Sequence, residues 1–453
     1  MRTLIYGGRV IDPACKIDSE LNLIIEDGKI AGVCTERVAA DREIDATGKI
    51  VCPGFIDVHA HEDPLDANGD IDANEKTSVL ACMLRMGVTT IIGGNCGESK
   101  CHPADYLDLA DKNGTPVNVA MQVGYEYFRV LEGASDRYAP ASPEQIKAIA
   151  KDIDDSLNRG CIGLSYGIRY TPGVTREELL GTAAACCKSG KPVSCHIRSD
   201  AAEVFDALDE FLDITNELKL PAQVSHIGSM AGFGQMKQFL RKIDEYKLNG
   251  SDVMCDCYPY SAFSTGIGST TYDDGWLERY DSDYGVLEIC EGKYKGQRCT
   301  KESFEETRRD FPECYTICYV MRPEEIDLAF KHPAVMLGSD ATMSQGQGHP
   351  RAAGAFPRLI AEYVRKGQLS MYDAINKMTA MPAERFGLKN KGRLSVGADA
   401  DVLIFDPERI KDNSTFENPI LPPDGIEYVI IDGKLAAKGQ KILRADCGKS
   451  VRQ

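Results

Sequence analysis

The pattern of apolar and polar positions changes twice along the chain. In residues 1–52, short apolar runs such as Thr3 to Tyr6 are separated by turn residues, with Asp27-Gly28 as a hairpin turn. From Gly54 onward, apolar runs of strand length alternate with helix-like stretches, and from Lys391 the pattern is strand-like again. The pattern predicts one large α/β unit between two β-rich chain ends.

Eight apolar runs in the middle of the chain are typical of parallel barrel strands. They are Gly54 to His59, Val88 to Gly93, Val117 to Val123, Cys161 to Tyr166, Pro192 to Ile197, Ala222 to His226, Asp252 to Tyr258 and Ala334 to Gly338. Helix-like stretches, for instance Ser142 to Leu157 and Arg176 to Ser189, separate most of them. This alternation predicts a (β/α)8 TIM-like barrel, whose active residues follow the carboxyl ends of the strands.

The domain organisation follows from these patterns. We expect the barrel to span residues 53–388, and residues 1–52 and 389–453 to form one small β-sandwich from both chain ends. The gap between the seventh and eighth strands is too long for one helix. Residues 265–319, which include a helix-like run from Lys301 to Asp310, are therefore predicted to form an insertion over the active site, where substrate is selected.

Composition narrows the possible partners. The 69 acidic and 52 basic residues give a net charge of -17, which disfavours nucleic acid and anionic membranes. No apolar stretch has the length of a membrane span and the first residues lack the features of a signal peptide, so we expect a cytoplasmic protein. The 17 cysteines are scattered through apolar segments, which is typical of reduced core thiols.

A His-x-His pair directly after the first apolar strand is the strongest candidate for metal chemistry. Residues two apart in a strand point to the same side, so His59 and His61 can both face one ion. Two exposed loop histidines are the alternative, but the position after a buried strand disfavours it. Cys96 follows the second strand in a glycine-flanked turn and is either a metal ligand or one more core thiol.

Three further candidates end later strands of the predicted barrel. His196 and His226 follow the fifth and sixth strands, and Asp340 follows the eighth. Each histidine alone could be a core residue with satisfied hydrogen bonds. Together, six metal-competent side chains on one barrel face predict the metal site of a hydrolase.

The order of motifs along nearly the whole chain resembles the amidohydrolase superfamily and, within it, the N-acyl-D-amino-acid deacylases. The motifs are Pro53-Gly-Phe-Ile-Asp-Val-His-Ala-His61, Gly94-Asn-Cys-Gly97, Gly163-Leu-Ser165, Thr171-Pro-Gly173, His196-Ile-Arg198, Ser225-His226, Tyr258-Pro-Tyr260, Ser339-Asp340, His349-Pro-Arg351, Phe356-Pro-Arg358 and Gly392-Arg-Leu-Ser-Val-Gly-Ala-Asp-Ala-Asp401. The resemblance implies a zinc-dependent enzyme that releases a carboxylic acid and a D-amino acid from a small-molecule N-acyl amino acid.

The resemblance also implies a ligand set. Most members of the superfamily bridge two metals with a carboxylated lysine on the fourth strand, whereas Gly160 to Tyr170 contains no lysine. Deacylases of this type use the cysteine after the second strand instead. By that resemblance, Cys96, His196 and His226 hold one tight Zn²⁺. His59, His61 and Asp340 then line a second position that is weak or empty, and Asp340 moves the proton between water and the leaving amine.

The resemblance also implies residues that bind the substrate's α-carboxylate. In the resembling enzymes a tyrosine, a serine and an arginine clamp it, and Tyr258, Ser264 and Arg351 stand at those places. Gly228, Tyr125 and Phe263 depart from the lysine, histidine and glycine that are common in that family. We therefore expect an altered pocket around an intact hydrolytic centre.

Two other functions stay open at this point. A cyclic amide hydrolase of the hydantoinase or dihydroorotase type shares the barrel and the His-x-His pair but normally needs the missing lysine. A non-catalytic barrel that serves as an assembly scaffold usually loses ligands, whereas this chain keeps all six. The sequence is compatible with a homo-oligomer but does not define one.

Overall fold

The computed structural model describes residues 1–74, 76–344 and 346–453. The strands are β1 Arg2–Asp12, β2 Ile17–Glu26, β3 Lys29–Cys34, β4 Arg42–Asp45, β5 Ile50–Pro53, β6 Phe55–Asp57, β7 Val88–Gly93, β8 Asn118–Met121, β9 Val123–Gly124, β10 Leu164–Gly167, β11 Val193–His196, β12 Ala222–Val224, β13 Val253–Cys257, β14 Phe263–Gly266, β15 Leu287–Ile289, β16 Tyr315–Cys318, β17 Val335–Leu337, β18 Met343–Ser344, β19 Gln347–Gly348, β20 Val402–Phe405, β21 Ile426–Ile431, β22 Lys434–Lys438 and β23 Lys441–Ile442. The α-helices are α1 Val79–Arg85, α2 Pro103–Asn113, α3 Tyr125–Leu131, α4 Pro143–Asn158, α5 Arg176–Ala183, α6 Val204–Leu218, α7 Ile227–Ala231, α8 Met236–Leu248, α9 Trp276–Arg279, α10 Lys301–Asp310, α11 Pro323–Lys331, α12 Arg351–Arg358, α13 Met371–Met378 and α14 Ala380–Arg385.

Both chain ends contribute to one nine-stranded sheet. Its order is β23-β22-β21-β20-β5-β1-β2-β3, with β4 paired to β1, so that β5 and β20 join the two ends in antiparallel register. Lys391 is buried in this domain, with Nζ 2.6 Å from Asp401 and 3.0 Å from Asp399. Asn118 at the start of β8 also donates to Asp401. This polar cluster therefore ties the β-rich domain to the barrel.

Short parallel strands form the barrel. They occur in two sheets, β6-β7-β8 and β9-β10-β11-β12-β13-β17, and only Gln122 separates β8 from β9. An isolated parallel bridge pairs Ala60, after β6, with Ala341, after β17. Every residue of β7 and β11 is buried, as expected for strands covered on both faces. The carboxyl ends of these strands all lie at one edge, where the candidate ligands follow.

Helix α4 shows how the sequence specifies the outer layer. Ser142 and Gln145 form a capping box, and Pro143 occupies the first turn, where its missing N–H is not needed. Ile149, Ile153 and Leu157 recur at helical spacing, and all three are buried against the barrel. Among the described residues, no helix is both long enough and apolar enough to cross a membrane.

The segment between β13 and β17 forms a small subdomain. Strands β14, β15 and β16 pair antiparallel in the order β14-β16-β15, and α10 covers the residues that the pattern assigned to a helix. Aromatic rings fill its interior, with Trp276 5.3 Å from Tyr272 and 5.5 Å from Phe304 between ring centroids. This packing holds β14 and its neighbours against the carboxyl edge of the barrel.

Candidate metal centre

All six residues that the sequence singled out as candidate ligands are buried at the carboxyl edge of the barrel. His196 is the last residue of β11, whereas the others lie in the segments just beyond their strands: His59 and His61 after β6, Cys96 after β7, His226 after β12, and Asp340 after β17. The structure brings them together in two groups that share Cys96. Candidate ligand atoms lie within 4.8 Å of one another in the first group, Cys96, His196 and His226, and likewise in the second group, His59, His61, Cys96 and Asp340.

The Cys96 thiol lies at the junction of the two groups. Its Sγ is 3.3 Å from Nε2 of His226 and 3.4 Å from Nε2 of His59. Oδ1 of Asp340 lies 3.2 Å from Nε2 of His61 and 3.5 Å from Nε2 of His59. One soft donor is therefore placed between a nitrogen-rich and an oxygen-containing cluster, a geometry that two adjacent ions could share.

Left-handed backbone turns present three of these side chains. The φ angles are 53° at Cys96, 32° at His226 and 52° at Asp340, a region that costs a non-glycine residue roughly 1–3 kcal/mol. The Cys96 turn lies so close to β10 that a Cβ at Gly167 would stand 2.0 Å from the carbonyl oxygen of Cys96. Strain at three candidate ligands is typical of a functional site, because a purely structural turn would be free to use glycine.

A buried carboxylate on β13 orients two of the histidines. Asp256 accepts the backbone N–H of His226 at 2.8 Å and lies 3.2 Å from Nδ1 of His59. Gln223 donates to its other oxygen, and Ser229 Oγ lies 2.9 Å from Nδ1 of His226. Partners of this kind fix the ring orientation and tautomer of a metal ligand. Sequence reasoning missed Asp256, although an acidic residue inside the apolar run Val253–Cys257 was a usable signal.

Burial sets the protonation of the first group. It raises the pKa of the Cys96 thiol well above its usual range, lowers the pKa of His226 to about 4, and lowers that of His196 well below its usual range. Both imidazoles are thus neutral donors, and Nδ1 of His196 is buried with no hydrogen-bond partner among the described residues. A thiol and two neutral imidazoles, one with an unpaired nitrogen, fit zinc, whose charge stabilises the thiolate.

In the second group, charged neighbours as well as burial determine the pKa values. Burial alone would raise the pKa of Asp340, but the Arg351 guanidinium and the nearby histidines hold it well below its usual range. Burial alone would lower the pKa of His59, yet the carboxylates of Asp256, Asp340 and Asp57 together outweigh burial and raise it. Asp340 is therefore an ionised carboxylate at the centre of the site, able to accept a proton.

A cavity of about 430 Å³ opens onto this second group. Arg351 and Ser264 line it, and Nη1 of Arg351 lies 2.9 Å from Oδ2 of Asp340. The Arg351 guanidinium also stacks 4.7 Å from the centre of the Tyr258 ring, which is buried behind it and does not line the cavity. Ser264 Oγ has no hydrogen-bond partner within the described part of the chain. Of the three residues matched to a carboxylate clamp, Arg351 and Ser264 therefore line the cavity, whereas Tyr258 lies behind the Arg351 guanidinium.

The subdomain between β13 and β17 supplies much of the cavity wall. Thr265, Gly268, Pro312 and Tyr315 line it, together with Glu98 from the barrel. Of the three departures noted in the sequence, only Phe263 lines a cavity at the site. Tyr125 instead packs 4.9 Å from Tyr166 and hydrogen-bonds Glu178.

Comparison with known proteins identifies relatives of this chain. Amidohydrolase family models match residues 50–236 and 321–437. An N-acyl-D-glutamate deacylase of Alcaligenes xylosoxydans xylosoxydans is 31% identical over 463 residues, covering 95% of this chain and 92% of the relative. Dihydroorotases match as well, among them that of Syntrophotalea carbinolica, 42% identical over 447 residues with 90% of each chain covered.

Two solved structures of related enzymes match this chain over its full length. The N-acyl-D-glutamate deacylase of Bordetella bronchiseptica, complexed with zinc and a phosphonate mimic of the tetrahedral intermediate, has a TM-score of 0.88 and 29% identity, covering 100% of this chain and 99% of the other. A D-aminoacylase studied for one-metal activation and second-metal attenuation has a TM-score of 0.87 and 27% identity, with the same coverage. The predicted barrel with a β-rich domain is thereby confirmed as the fold.

Proposed function

The chain belongs to the amidohydrolase family, among the N-acyl-D-amino-acid deacylases, and from this premise we propose how its residues carry the reaction. The protein is a zinc-dependent hydrolase of linear amides that converts an N-acyl-D-amino acid into a carboxylic acid and a free D-amino acid. The observation that carries the proposal is the shared thiol of Cys96, which lies between the two groups of candidate ligands. Three protein donors with an open position are what catalytic zinc requires.

We assign the tight zinc to Cys96, His196 and His226, because these buried donors are a thiol and two neutral imidazoles. His59, His61 and Asp340 line the second position. Asp340 already has an ion-pair partner in Arg351, so a second ion would compete with that contact. We therefore expect one tightly held zinc per chain and weak or partial occupancy of the second position.

Different residues of the chain transfer the proton and bind the substrate. When bound, zinc polarises the scissile carbonyl and lowers the pKa of water toward about 7. Asp340, ionised and facing His61 through Oδ1, takes the proton of the attacking water and returns it to the leaving nitrogen. Arg351 holds Oδ2 of Asp340, which keeps the carboxylate aimed into the site. The same guanidinium, with Ser264 and Tyr258 beside it, binds the substrate's α-carboxylate.

Ring opening of a cyclic amide is the second candidate, since dihydroorotases are among the relatives. Two observations favour the linear amide. The segment around β10 contains no lysine for a bridging carbamate. The fully buried Arg351 and the Ser264 hydroxyl, which has no hydrogen-bond partner among the described residues, suit a free carboxylate next to the amide. Cytoplasmic location and assembly into a homo-oligomer stay predictions.

The proposal is tested by substrate class and chirality. Purified, zinc-loaded protein is offered paired D and L N-acyl amino acids together with hydantoins and dihydropyrimidines, and free amine and ring opening are measured. We expect amine release from D substrates only, and none of it in a Cys96→Ala variant. Ring opening faster than deacylation, or equal rates on both enantiomers, would contradict the proposal.

A further inference from the structure

Three histidines of the chain precede a proline, and all three form the same local turn. They are His102, His332 and His349. In each, Nδ1 of the ring accepts the backbone N–H of the residue two positions further on, at 3.3, 3.3 and 3.0 Å respectively. An asparagine side chain makes the same contact in an Asx turn. The turn by itself therefore indicates only local structure, and the partner of the other ring nitrogen distinguishes the three histidines.

Nε2 of His349 contacts a segment that is distant in the chain. It donates to the carbonyl oxygen of Ala262 at 3.0 Å, two residues before Ser264. Nδ1 of the same ring accepts the N–H of Arg351, the first residue of α12. One imidazole thus links the two segments that carry Ser264 and Arg351, the residues of the proposed carboxylate clamp that line the cavity.

His332 makes no comparable link. Its Nε2 lies 3.1 Å from Oδ1 of Asp244, whose side chain is exposed. His332 also precedes β17, so it lies at the edge of the barrel opposite the site. His332 therefore shares the local turn of His349 but not its contact with the clamp.

The His349 ring is held tightly behind the cavity. It is fully buried and lines neither cavity at the site. Its centroid lies 5.0 Å from that of Tyr260 and 5.1 Å from that of Phe416, both edge-on, and 6.1 Å from that of Tyr258. Since the Arg351 guanidinium stacks on Tyr258, all three matched clamp residues are packed or bonded around this ring.

The two hydrogen bonds of His349 require a neutral ring. Burial and the Arg351 guanidinium lower the pKa of His349 well below its usual range. Because Nδ1 accepts from Arg351, the single proton is on Nε2, which donates to Ala262. An imidazolium would carry two donors and could not accept the Arg351 N–H. The ring therefore offers one acceptor and one donor, as the two segments need.

A second contact between the two segments is weaker. The Tyr260 hydroxyl lies 3.5 Å from the carbonyl oxygen of Pro350, but it donates at 2.8 Å to Oδ2 of Asp412. The shorter bond to Asp412 occupies the hydroxyl proton. The imidazole of His349 is thus the stronger polar link between the segments of Ser264 and Arg351.

We infer that His349 is a positioning residue for the α-carboxylate clamp. Its imidazole fixes the spacing between the Arg351 guanidinium and the Ser264 hydroxyl, so that the site demands a free α-carboxylate beside the amide. This inference rests on the proposed function. A carboxylate held by two groups needs both within about 0.5 Å of the productive geometry. Arg351 and Ser264 come from segments 87 residues apart, so their spacing depends on contacts such as this one.

Two variants each keep one half of the link. His349→Asn retains an acceptor for the Arg351 N–H in an Asx turn but loses the bond to Ala262. His349→Gln has a longer side chain whose amide can donate to Ala262, but it loses the acceptor for Arg351. If His349 only begins α12, His349→Asn should behave as wild type. If it positions the clamp, both variants should impair the clamp.

The test measures the preference for a free acid. The kcat/KM for an N-acetyl-D-amino acid is divided by that for its α-amide, and zinc content is measured in parallel. The wild-type ratio should be about 10². In His349→Asn and in His349→Gln the ratio should fall by at least about 10-fold, through slower hydrolysis of the free acid, with zinc unchanged. His332→Asn, which keeps the same turn away from the site, is the matched control and should keep the wild-type ratio.

A double variant separates positioning from general loss of structure. In the Arg351→Ala background no clamp remains to be positioned, so adding His349→Asn should cause no further loss of kcat/KM for the free acid. A structural defect would instead lower the hydrolysis of acid and amide alike, and its cost would add to that of Arg351→Ala.

The outcomes distinguish this inference from the proposed function. An unchanged ratio in folded, zinc-loaded His349→Asn overturns the inference, as do equal losses on acid and amide or additive losses in the double variant. All three leave deacylation of D substrates intact. If His349→Asn does not fold, His349→Gln decides by the same criteria. A wild type that hydrolyses the α-amide as fast as the free acid contradicts the clamp of the proposed function, and the inference fails with it.

Discussion

Arg351 makes two contacts whose energetic contributions can be measured separately. Its guanidinium is 1% exposed, lies 2.9 Å from Oδ2 of Asp340 and stacks on Tyr258. In the proposed complex it also binds the α-carboxylate of the substrate. Arg351→Ala removes both contacts, whereas Arg351→Lys keeps the positive charge but loses the planar fork that matches a carboxylate.

The structure sets the expected size of the effect. A charge-assisted, bidentate contact in a buried site contributes about 3 kcal/mol, and about 1.4 kcal/mol corresponds to a tenfold change in rate. Arg351→Ala should therefore lower kcat/KM by about 10²-fold or more. Zinc content should not change, because none of the assigned ligands of the tight ion touches Arg351. The kcat/KM of Arg351→Lys should lie between that of Arg351→Ala and that of the wild type.

A double comparison separates the clamp from a general loss of structure. The α-amide of the substrate should lose about as much activity with wild type as Arg351→Ala loses with the free acid, and the two losses should not add. Arg309→Ala, an exposed arginine paired with Asp310, is the control and should behave as wild type. Additive losses, or hydrolysis of the free acid by Arg351→Ala at the wild-type rate, would refute the clamp.

Three further predictions follow from the same contacts. The double variant Cys96→Ala/His226→Ala should lose the tight zinc, measured by elemental analysis after dialysis, and undiminished zinc would contradict the assignment. Asp340→Asn should keep the fold and the zinc while kcat falls by at least about 10²-fold, so near-normal turnover would remove Asp340 from the proton transfer. Lys391→Met should lower the free energy of unfolding by about 3–5 kcal/mol in urea titrations, because it leaves the buried carboxylate of Asp401 without its cation; an unchanged midpoint would show that this cluster does not stabilise the domain junction.

The periodicity of apolar positions was sufficient to predict most of the barrel strands and helices. The bounds of β7 and α10 agree with the apolar run Val88 to Gly93 and the helix-like run Lys301 to Asp310. The other barrel strands are shorter than their apolar runs, because an apolar segment extends past the point where parallel hydrogen bonding stops. β12, for example, ends at Val224, and His226 lies in the following turn.

The parts of the site that the sequence did not reveal are long-range contacts. Asp256 meets His59 and His226 from another strand, and His349 donates to the carbonyl oxygen of Ala262, 87 residues earlier in the chain. No local pattern specifies such pairs, since they depend on how strands far apart in the chain align. Left-handed backbone at a cysteine, a histidine and an aspartate is likewise invisible to propensity, which assigns that region to glycine.

The central claim is that one zinc, held through Cys96, makes this chain a deacylase of N-acyl-D-amino acids. The most direct test is to strip the protein of metal, return zinc in steps, and measure amine release from an N-acyl-D-amino acid together with the zinc retained. The account predicts no activity without metal and a maximum at one zinc per chain. It also predicts neither retained zinc nor recovery in Cys96→Ala. Full activity in the metal-free protein, or a rate that rises only with the second equivalent, would contradict it.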